Sequence, residues 1–235
     1  SPLSKDPGAL TSSEVRDNPR QASSRNVQYN AGEEIRQEDI GARFRHRLSS
    51  GKEFTVTAHM LHRDFKSRQP FFDGGQVQFD RLVGGLMMQF VNDHELFNRP
   101  NRFLIGVDYD IQNDDRQRFN NNFGVRDALN LSQIERVQSV GPFVRNECNI
   151  VDKLDLVLGG RWDWLHYQVK DRFKSDGNES GSRTVSQGSG SAGLVYHLTD
   201  QQQLYAHIAS VFEAPTTTEL LNNPAGRGGF NPNLN

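Results

Sequence analysis

The chain has 235 residues, a net charge of −2, and an unusual pairing of few apolar residues (34%) with 21 glycines and 15 phenylalanines. The balanced charge excludes the basic face that a nucleic-acid-binding protein needs, and the polarity excludes a simple apolar interior. A single cysteine, Cys148, excludes an internal disulfide, and no run approaches the roughly 18 to 20 continuous apolar residues of a membrane helix.

The first part of the chain, residues 1–37, is rich in Ser, Asn, Pro and Arg and has no hydrophobic period. Such a composition is typical of loops rather than of packed elements. We therefore expect residues 1–37 to be an outer loop or a disordered arm. No helix is predicted in any part of the chain.

From residue 38 onward, apolar side chains recur with a period of two, which places them on one face of extended strands. The first run sets its apolar residues against Arg43, Arg45 and Arg47 on the other face, and the linker SSGKE joins it to a second run over residues 54–60. A short Gly-containing linker between two such runs predicts a hairpin.

The later runs differ in clarity. A third run, residues 77–91, changes phase near Arg81, which predicts a bulge there. The fourth, residues 103–111, alternates most clearly, with Asp108 and Asp110 on its polar face. The fifth run, residues 137–150, has apolar residues in both phases, so the pattern does not decide which of its side chains lie on the apolar face. Pro142 predicts a bulge or a register shift in this run.

Three further runs complete the pattern, over residues 154–164, 184–198 and 204–212. The links between runs alternate in length. Short links fall at residues 49–52, 151–153 and 199–202, long polar links at 66–76, 113–133, 171–183 and 213–235, and an intermediate link at 92–101. Short turns on one rim and long loops on the other are typical of outer-membrane barrels.

These patterns predict an all-β fold: an antiparallel up-and-down β-barrel, or a curved barrel-wall sheet, of about eight strands over residues 38–212. Residues 213–235 would then be an extracellular loop that is truncated. Because a spanning strand faces lipid with every second residue, its other face is free to carry charge. Four aromatic residues near strand ends are predicted to form an interfacial girdle, namely Tyr109, Trp162, Trp164 and Tyr167.

Several stretches resemble those of TonB-dependent siderophore receptors. The stretch LYAHIASVFEAPTTTELLNNPAGRGGFNPNLN resembles the place where a receptor strand ends and a conspicuous extracellular loop begins. RDFKSRQPFFDGGQVQFDR, FLIGVDYDIQNDDRQRFNN and SAGLVYHLTDQQQLYAHI follow the family order. FVRNE and LGGRWD occupy the positions of the family's YxQDE and LGLRYD motifs, from which Asn146 and Trp162 depart.

The resemblance implies a receptor with an N-terminal plug and a 22-stranded barrel in the bacterial outer membrane, which is not an enzyme and needs no cofactor. This sequence contains neither plug nor TonB box, so it is interpreted as a barrel fragment. Whether the fragment closes into its own barrel or stays an open sheet is left open. The implied partners are an iron-siderophore or similar chelate, outer-membrane lipid, and the TonB complex through the missing plug domain, without nucleic acid.

Eight residues are candidates for ligand binding. Arg43, Arg45 and Arg47 would attract an anionic ligand through the lumen, although pairing with carboxylates of neighbouring strands is the more ordinary role. Asp108 and Asp110 would contact a chelate or cation, or form a solvated wall. In the final loop, Glu213 and Glu219 would hold the loop base to the neighbouring strand, and Arg227 would be available to an anionic ligand, the alternative being a solvated loop.

No metal site is predicted. His59 and His62 are the nearest histidine pair, but their spacing of three sends them to opposite faces of a strand. The alternative to a receptor is a soluble, small-ligand-binding β-barrel of lipocalin type. The two classes differ in where the apolar face points: inward in a soluble barrel, outward in a membrane barrel.

Overall fold

A computed structural model describes residues 3–221, 230 and 231. They form one antiparallel sheet in which the strands follow chain order, with β1 and β9 at its edges. The strands are β1 (Ser4–Lys5), β2 (Gly32–Ser49), β3 (Lys52–Arg68), β4 (Gln76–Leu96), β5 (Arg99–Asn122), β6 (Val125–Val151), β7 (Leu154–Asp171), β8 (Gly181–Thr199) and β9 (Gln202–Ser210). The predicted all-β, up-and-down architecture is confirmed, and the sheet stays open rather than closing on itself.

Three short helices contradict the expectation of no helix: α1 (Ser12–Asp17), α2 (Ser24–Gln28) and α3 (Thr217–Leu220). Helices this short leave no hydrophobic period in the sequence. Two of them do begin with a local signal, because Thr11 with Glu14 and Thr216 with Glu219 form capping boxes. None of the helices in the described part of the chain is long and apolar enough to cross a membrane.

The residues before β2, which include the edge strand β1, form a folded arm that leads directly into β2. That strand begins at Gly32, six residues earlier than predicted. The arm packs on the turn between β5 and β6, where the rings of Tyr29 and Phe123 lie 5.1 Å apart and the Asn121 amide donates to the Tyr29 carbonyl at 3.2 Å. The boundary was misplaced because residues 33–37 contain one apolar residue, Ile35, which is too few to show an alternation.

Four two-residue turns lie at one rim of the sheet, which we name the short-turn rim: residues 50–51, 97–98, 152–153 and 200–201. The intermediate link predicted over residues 92–101 is one of them, because β4 and β5 pair as far as Leu96 and Arg99. Phe97 and Asn98 both have positive φ, which matches the twist of a hairpin. At the opposite, long-loop rim, β3 and β4 are joined by residues 69–75 and β7 and β8 by residues 172–180.

The predicted long loop over residues 113–133 is wrong. Most of it is strand: β5 runs on to Asn122, Phe123 and Gly124 form a tight turn, and β6 returns from Val125. This hairpin has polar side chains on both faces, so it shows no apolar alternation in the sequence. About 35 Å of β5, measured along the strand, lies beyond Ile111, and Phe119 is the one outward apolar residue in that stretch.

The two predicted bulges are also wrong. Pairing of β3 with β4 and of β4 with β5 keeps one register past Arg81, and β5 pairs with β6 in one register past Pro142. The change of phase near Arg81 arises because Phe79 lies on the inner side, where its ring stacks on Phe65 at 4.8 Å. Pro142 merely interrupts the pairing of β6 with β7, which resumes in step at Phe143.

Candidate functional site on the inner face

The two faces of the sheet differ sharply in character. Directly paired residues of neighbouring strands share a face, so the register places Arg43, Arg45, Arg47, Asp108, Asp110, Arg161 and Asp163 together. Ile105, Val107, Leu156, Leu158 and Trp162 lie on the other face, as predicted. We name the charged side the inner face and the apolar side the outer face. The open facing of β6 is thereby settled, with Val140 and Val144 on the outer face.

The inner face is covered near the long-loop rim by the chain that follows β9. Residues 211–221, which we name the strap, fold back across β7 towards β5. Tyr167 on β7 donates its hydroxyl to the Pro215 carbonyl at 2.7 Å, and Arg116 on β5 donates to the Thr218 hydroxyl at 3.1 Å. Leu220 is 3% exposed and packs with Leu165 and Tyr167. The strap therefore ties together strands that are not neighbours.

A cavity of about 370 Å³ lies between the strap and the sheet, lined by residues of β4, β5, β6, β7 and the strap. Its charged residues are largely paired. Arg81 binds Asp114 through two hydrogen bonds, of 2.8 and 2.6 Å, and Asp114 is 1% exposed. Arg116 lies 3.4 Å from Glu135, which is 2% exposed. The cavity wall thus combines charge-balanced polar groups with apolar side chains, a combination that binds and orients a ligand.

Two arginines in this region keep unused hydrogen-bond capacity. The buried Nε groups of Arg116 and Arg118 have no hydrogen-bond partner among the described residues. A buried donor without an acceptor is costly, so such groups favour a ligand that brings an acceptor. Burial, together with the neighbouring Arg116, lowers the pKa of Arg118, but an arginine remains charged at neutral pH. The pair is thus suited to an anion.

Closer to the short-turn rim, the predicted residues Asp108 and Asp110 occupy an inner-face network. Arg161 on β7 reaches over Gly141 on β6 to bind Asp108, and also binds Asp163 at 2.7 Å. Asp110 lies 3.6 Å from His59 and lines the cavity. Asp108 is thus an ion-pair partner in the wall, whereas Asp110 faces the candidate site.

The arginines of β2 lie apart from this cavity. Arg45 pairs with Glu53 at 3.2 Å, Arg43 donates to the Thr57 hydroxyl at 3.3 Å, and Arg47 lies opposite Glu53. All three are exposed on the inner face, on a strand three places from β5. The Arg45–Glu53 pair is of the carboxylate-pairing kind that the more ordinary predicted role describes, whereas Arg43 binds a hydroxyl group.

The roles predicted for the final loop need correction. Glu219 does not hold the loop to a neighbouring strand, because its carboxylate accepts from the backbone N–H and hydroxyl of Thr216 at 2.7 and 2.9 Å. These hydrogen bonds hold the pKa of Glu219 below its usual range. Glu213 is exposed, and the strap is held instead through Pro215 and Thr218. Arg227 lies outside the described residues.

Tyr167 was assigned to the aromatic girdle, and that assignment is wrong. Its side chain lies on the inner face and is 2% exposed, whereas Trp162, Trp164 and Tyr109 are exposed on the outer face as predicted. Burial and the Glu219 carboxylate raise the pKa of Tyr167, so its hydroxyl is protonated at neutral pH. The parity of β7 was an available signal, because Tyr167 is in phase with the charged side of that strand.

The contributions of Arg116, Glu135 and the strap threonines were missed. They come from segments that are polar on both sides, where no alternation reveals which side chains point inward. His59 and His62 do lie on opposite faces, as the register confirms. No group of potential metal-ligating side chains occurs in residues 3–221, 230 and 231.

The outer face is apolar where the inner face is charged. In β5 the outward side chains from Phe103 to Ile111 are all apolar or aromatic, and in β4 those from Leu82 to Phe90 are apolar or glycine. Each run spans nine residues, which is the length that a tilted strand needs to cross a bilayer. Many of these outward residues are more than a third exposed: Ile40, Phe44, Met60, Leu82, Met88, Ile105, Tyr109, Val140, Val144, Leu158, Trp162, Trp164, Leu194, Leu204 and Ile208.

An apolar outer face of bilayer length, a charged inner face, and turns of two residues at one rim define the wall of a membrane β-barrel. The arrangement is opposite to that of a soluble ligand-binding barrel, which turns its apolar face inward.

The chain belongs to the TonB-dependent receptor family: the family described as "TonB dependent receptor-like, beta-barrel" matches residues 3–235. It is a family of outer-membrane receptors, not of enzymes.

Solved structures of such receptors share the fold. The unliganded ferric citrate transporter FecA superposes with a TM-score of 0.74 at 12% identity, over 86% of this chain and 30% of that one. The siderophore receptor PiuA from Acinetobacter baumannii gives 0.63 at 14% identity, over 76% and 32%. The alcaligin receptor FauA from Bordetella pertussis gives 0.63 at 14%, over 85% and 32%. The chain spans about a third of the length of these receptors.

Proposed function

We propose that the chain forms part of the transmembrane barrel of a receptor that takes up a ferric siderophore, or a similar iron chelate, across the bacterial outer membrane. The TonB complex would drive this uptake through a plug domain elsewhere in the intact receptor. The family supports a receptor of this type, and the solved structures with the same fold include receptors for ferric citrate and for alcaligin.

The observation that carries the proposal is the cavity on the inner face beneath the strap. It lies at the long-loop rim, which in an outer-membrane barrel faces the outside of the cell. Arg116 lines it and keeps a buried Nε without a partner among the described residues. Most iron chelates carry carboxylate, hydroxamate or catecholate oxygens, and a guanidinium binds such oxygens well.

The strap would close over the bound chelate. Two hydrogen bonds, to the Pro215 carbonyl and to the Thr218 hydroxyl, hold the strap against β7 and β5. Arg227, further along the chain, would add a second cation. We propose that residues 1–31 and 211–235 lie on the extracellular side, since the arm and the strap both pack at the long-loop rim.

The test is chelate binding by the intact receptor. A panel of radioiron-labelled chelates is presented to cells whose only ferric receptor is this one, and uptake and dissociation constants are measured. Arg116→Gln is expected to weaken binding of the transported chelate about 10-fold, the effect of losing one charge-assisted hydrogen bond. The matched control, Arg43→Gln, removes an inner-face arginine outside the cavity and should leave affinity within about twofold.

A second variant tests the loop segment that follows the strap. Deletion of residues 225–230 is expected to raise the dissociation constant, with barrel assembly intact. If no chelate in the panel depends on the receptor for uptake, the proposed function is wrong. If uptake occurs but the deletion leaves the dissociation constant unchanged, the ligand role of this loop segment is wrong and the transport function stands.

A further inference from the structure

The outer face carries several charged residues beyond the apolar strands, and three of the cations among them are paired with acids. On β2 and β3, Arg36 pairs with Glu38 at 2.7 Å and Lys66 with Asp64 at 3.3 Å. After β7, Arg172 pairs with Asp115 at 2.9 Å. Exposed pairs of this kind neutralise the surface locally and contribute little else.

Two outward cations on β6 and β7 differ from these. Arg136 donates its Nε to the Asn113 side chain at 2.8 Å, but neither of its terminal nitrogens has a partner among the described residues. Lys170 has no hydrogen bond or ion pair within residues 3–221, 230 and 231. Both side chains are exposed on the outer face. Their charge is therefore available to a partner outside the sheet.

The register brings these two cations together. Arg136 lies opposite Gln168, and Lys170 is the next outward residue on β7, so the two are diagonal neighbours about 7 to 8 Å apart. They border a groove of about 430 Å³ that also contains Ser180 and Ser182. The described residues that line this groove include no carboxylate. The Ser180 hydroxyl donates to Asn178 at 2.8 Å, so the donors left for a ligand are the two cations and the Ser182 hydroxyl, a set that matches the oxygens of one phosphate.

The height of the patch relative to the membrane follows from the strand geometry. Arg136 lies four residues beyond Val140, and Lys170 six residues beyond Trp164, the directly paired residues that end the apolar band on β6 and β7; the outward Ile134, opposite Lys170, lies farther from the band. At roughly 3.3 Å per residue and a tilt of about 45°, these positions are about 9 and 14 Å above the apolar band. Long cationic side chains extend from such positions down to the headgroups.

We propose that Arg136 and Lys170, which we name the cation pair, bind the phosphate of a phosphorylated lipid in the outer leaflet. The proposal rests on the proposed function only in placing the long-loop rim outside the cell. It concerns the outer face, so it is independent of the chelate and of the cavity beneath the strap. The exposed rings of Trp162 and Trp164, 6.0 Å apart, mark the interface where such a lipid would lie.

The test is lipid binding by the intact receptor, purified in detergent and measured by native mass spectrometry. The probe is bisphosphorylated lipid A, compared with the same lipid after enzymatic removal of its phosphates. The double variant Arg136→Gln/Lys170→Gln is expected to bind the probe about 30-fold more weakly, because each cation near a lipid surface contributes about fivefold in affinity. Arg136→Lys, which retains the charge, should keep most of the binding.

The chain offers a matched control. Arg36 lies four residues beyond Ile40 and Lys66 six residues beyond Met60, so Arg36→Gln/Lys66→Gln removes the same charge at the same heights from a paired site. This control should bind the probe within about twofold of the unmodified receptor. Heat-dependent gel mobility verifies that every variant is folded.

Three results would overturn the proposal: equal loss in the control and the cation-pair variant, no loss in the cation-pair variant, or equal binding of the dephosphorylated lipid. Displacement of the lipid by millimolar inorganic phosphate would identify a soluble-anion site, which also contradicts it. Chelate uptake is measured in the same variants. The cation pair faces away from the lumen, so its substitution should not affect uptake. If the receptor takes up the chelate normally but does not bind the lipid, only this inference is rejected. If the unmodified receptor takes up no chelate, the proposed function is rejected.

Discussion

The placement of the outer face against lipid leads to a sharp prediction for two adjacent residues of β4. Leu86 points outward at the centre of the nine-residue run from Leu82 to Phe90, and Met87 points inward opposite Asp108. Four residues separate Leu86 from each end of the run, which is about 9 Å of depth for a strand tilted by about 45°. Leu86 therefore lies near the bilayer midplane.

Leu86→Arg is expected to destabilise the folded receptor by about 2 to 4 kcal/mol, the cost of an arginine facing lipid at this depth. Met87→Arg places the same side chain on the inner face next to the Asp108 carboxylate, and should cost less than about 1 kcal/mol. Leu82→Arg, at the end of the run, should cost about 0 to 1 kcal/mol because depth determines the penalty.

The assay is the folded fraction of the intact receptor in phospholipid vesicles, measured by gel mobility across a urea series. The Met87→Arg and Leu82→Arg receptors should be almost as stable as the unmodified receptor, and the Leu86→Arg receptor should be much less stable. If Met87→Arg were the more damaging of the two adjacent substitutions, the assignment of the faces would be reversed. Equal effects at Leu82 and Leu86 would refute the bilayer placement.

Three further outcomes are expected. Gly141→Ala should displace the Arg161 guanidinium from Asp108 and lower stability by about 1 to 2 kcal/mol, measured as a shift of the urea midpoint. Tyr167→Phe removes the hydrogen bond to the strap and should speed amide exchange of residues 211–221 about 2- to 10-fold. Folding lowers the pKa of Glu219, so the ionised carboxylate stabilises α3 above about pH 4.3, the ordinary glutamate value. This stabilisation is lost as the pH falls through the lowered pKa. Faster amide exchange of α3 at low pH would show the loss.

Each outcome has a matched control. Gly160→Ala adds the same methyl group on the outer face, where its nearest neighbour is a Val144 methyl at 3.9 Å, and should leave the midpoint unchanged. Tyr196→Phe removes an exposed outward hydroxyl and should not alter exchange of the strap. Glu219→Gln keeps the capping geometry without a titrating group, so exchange of α3 should lose its pH dependence. A control that behaves like its partner variant would contradict the corresponding contact.

The sequence alone determined the class of fold and the character of both faces. A strand side that faces lipid carries apolar residues, because a charged side chain there is costly. The period-two pattern over Phe103 to Ile111 was therefore sufficient to predict a strand, the side that its apolar residues occupy, and the contact of that side with the membrane. The short turns at residues 152–153 and 200–201 could be predicted for a similar reason, because the apolar runs stop on both sides of them.

Only the tertiary structure decided where the strands end beyond the membrane and which side chains form the cavity. In residues 113–133 both faces contact polar surroundings, so the sequence contains no alternation, and pairing between β5 and β6 defines the strand instead. Arg116 and Tyr167 meet the strap although 102 and 48 residues separate them from their partners Thr218 and Pro215. Contacts so distant in the chain depend on how the strap folds back over the sheet, which no local pattern records.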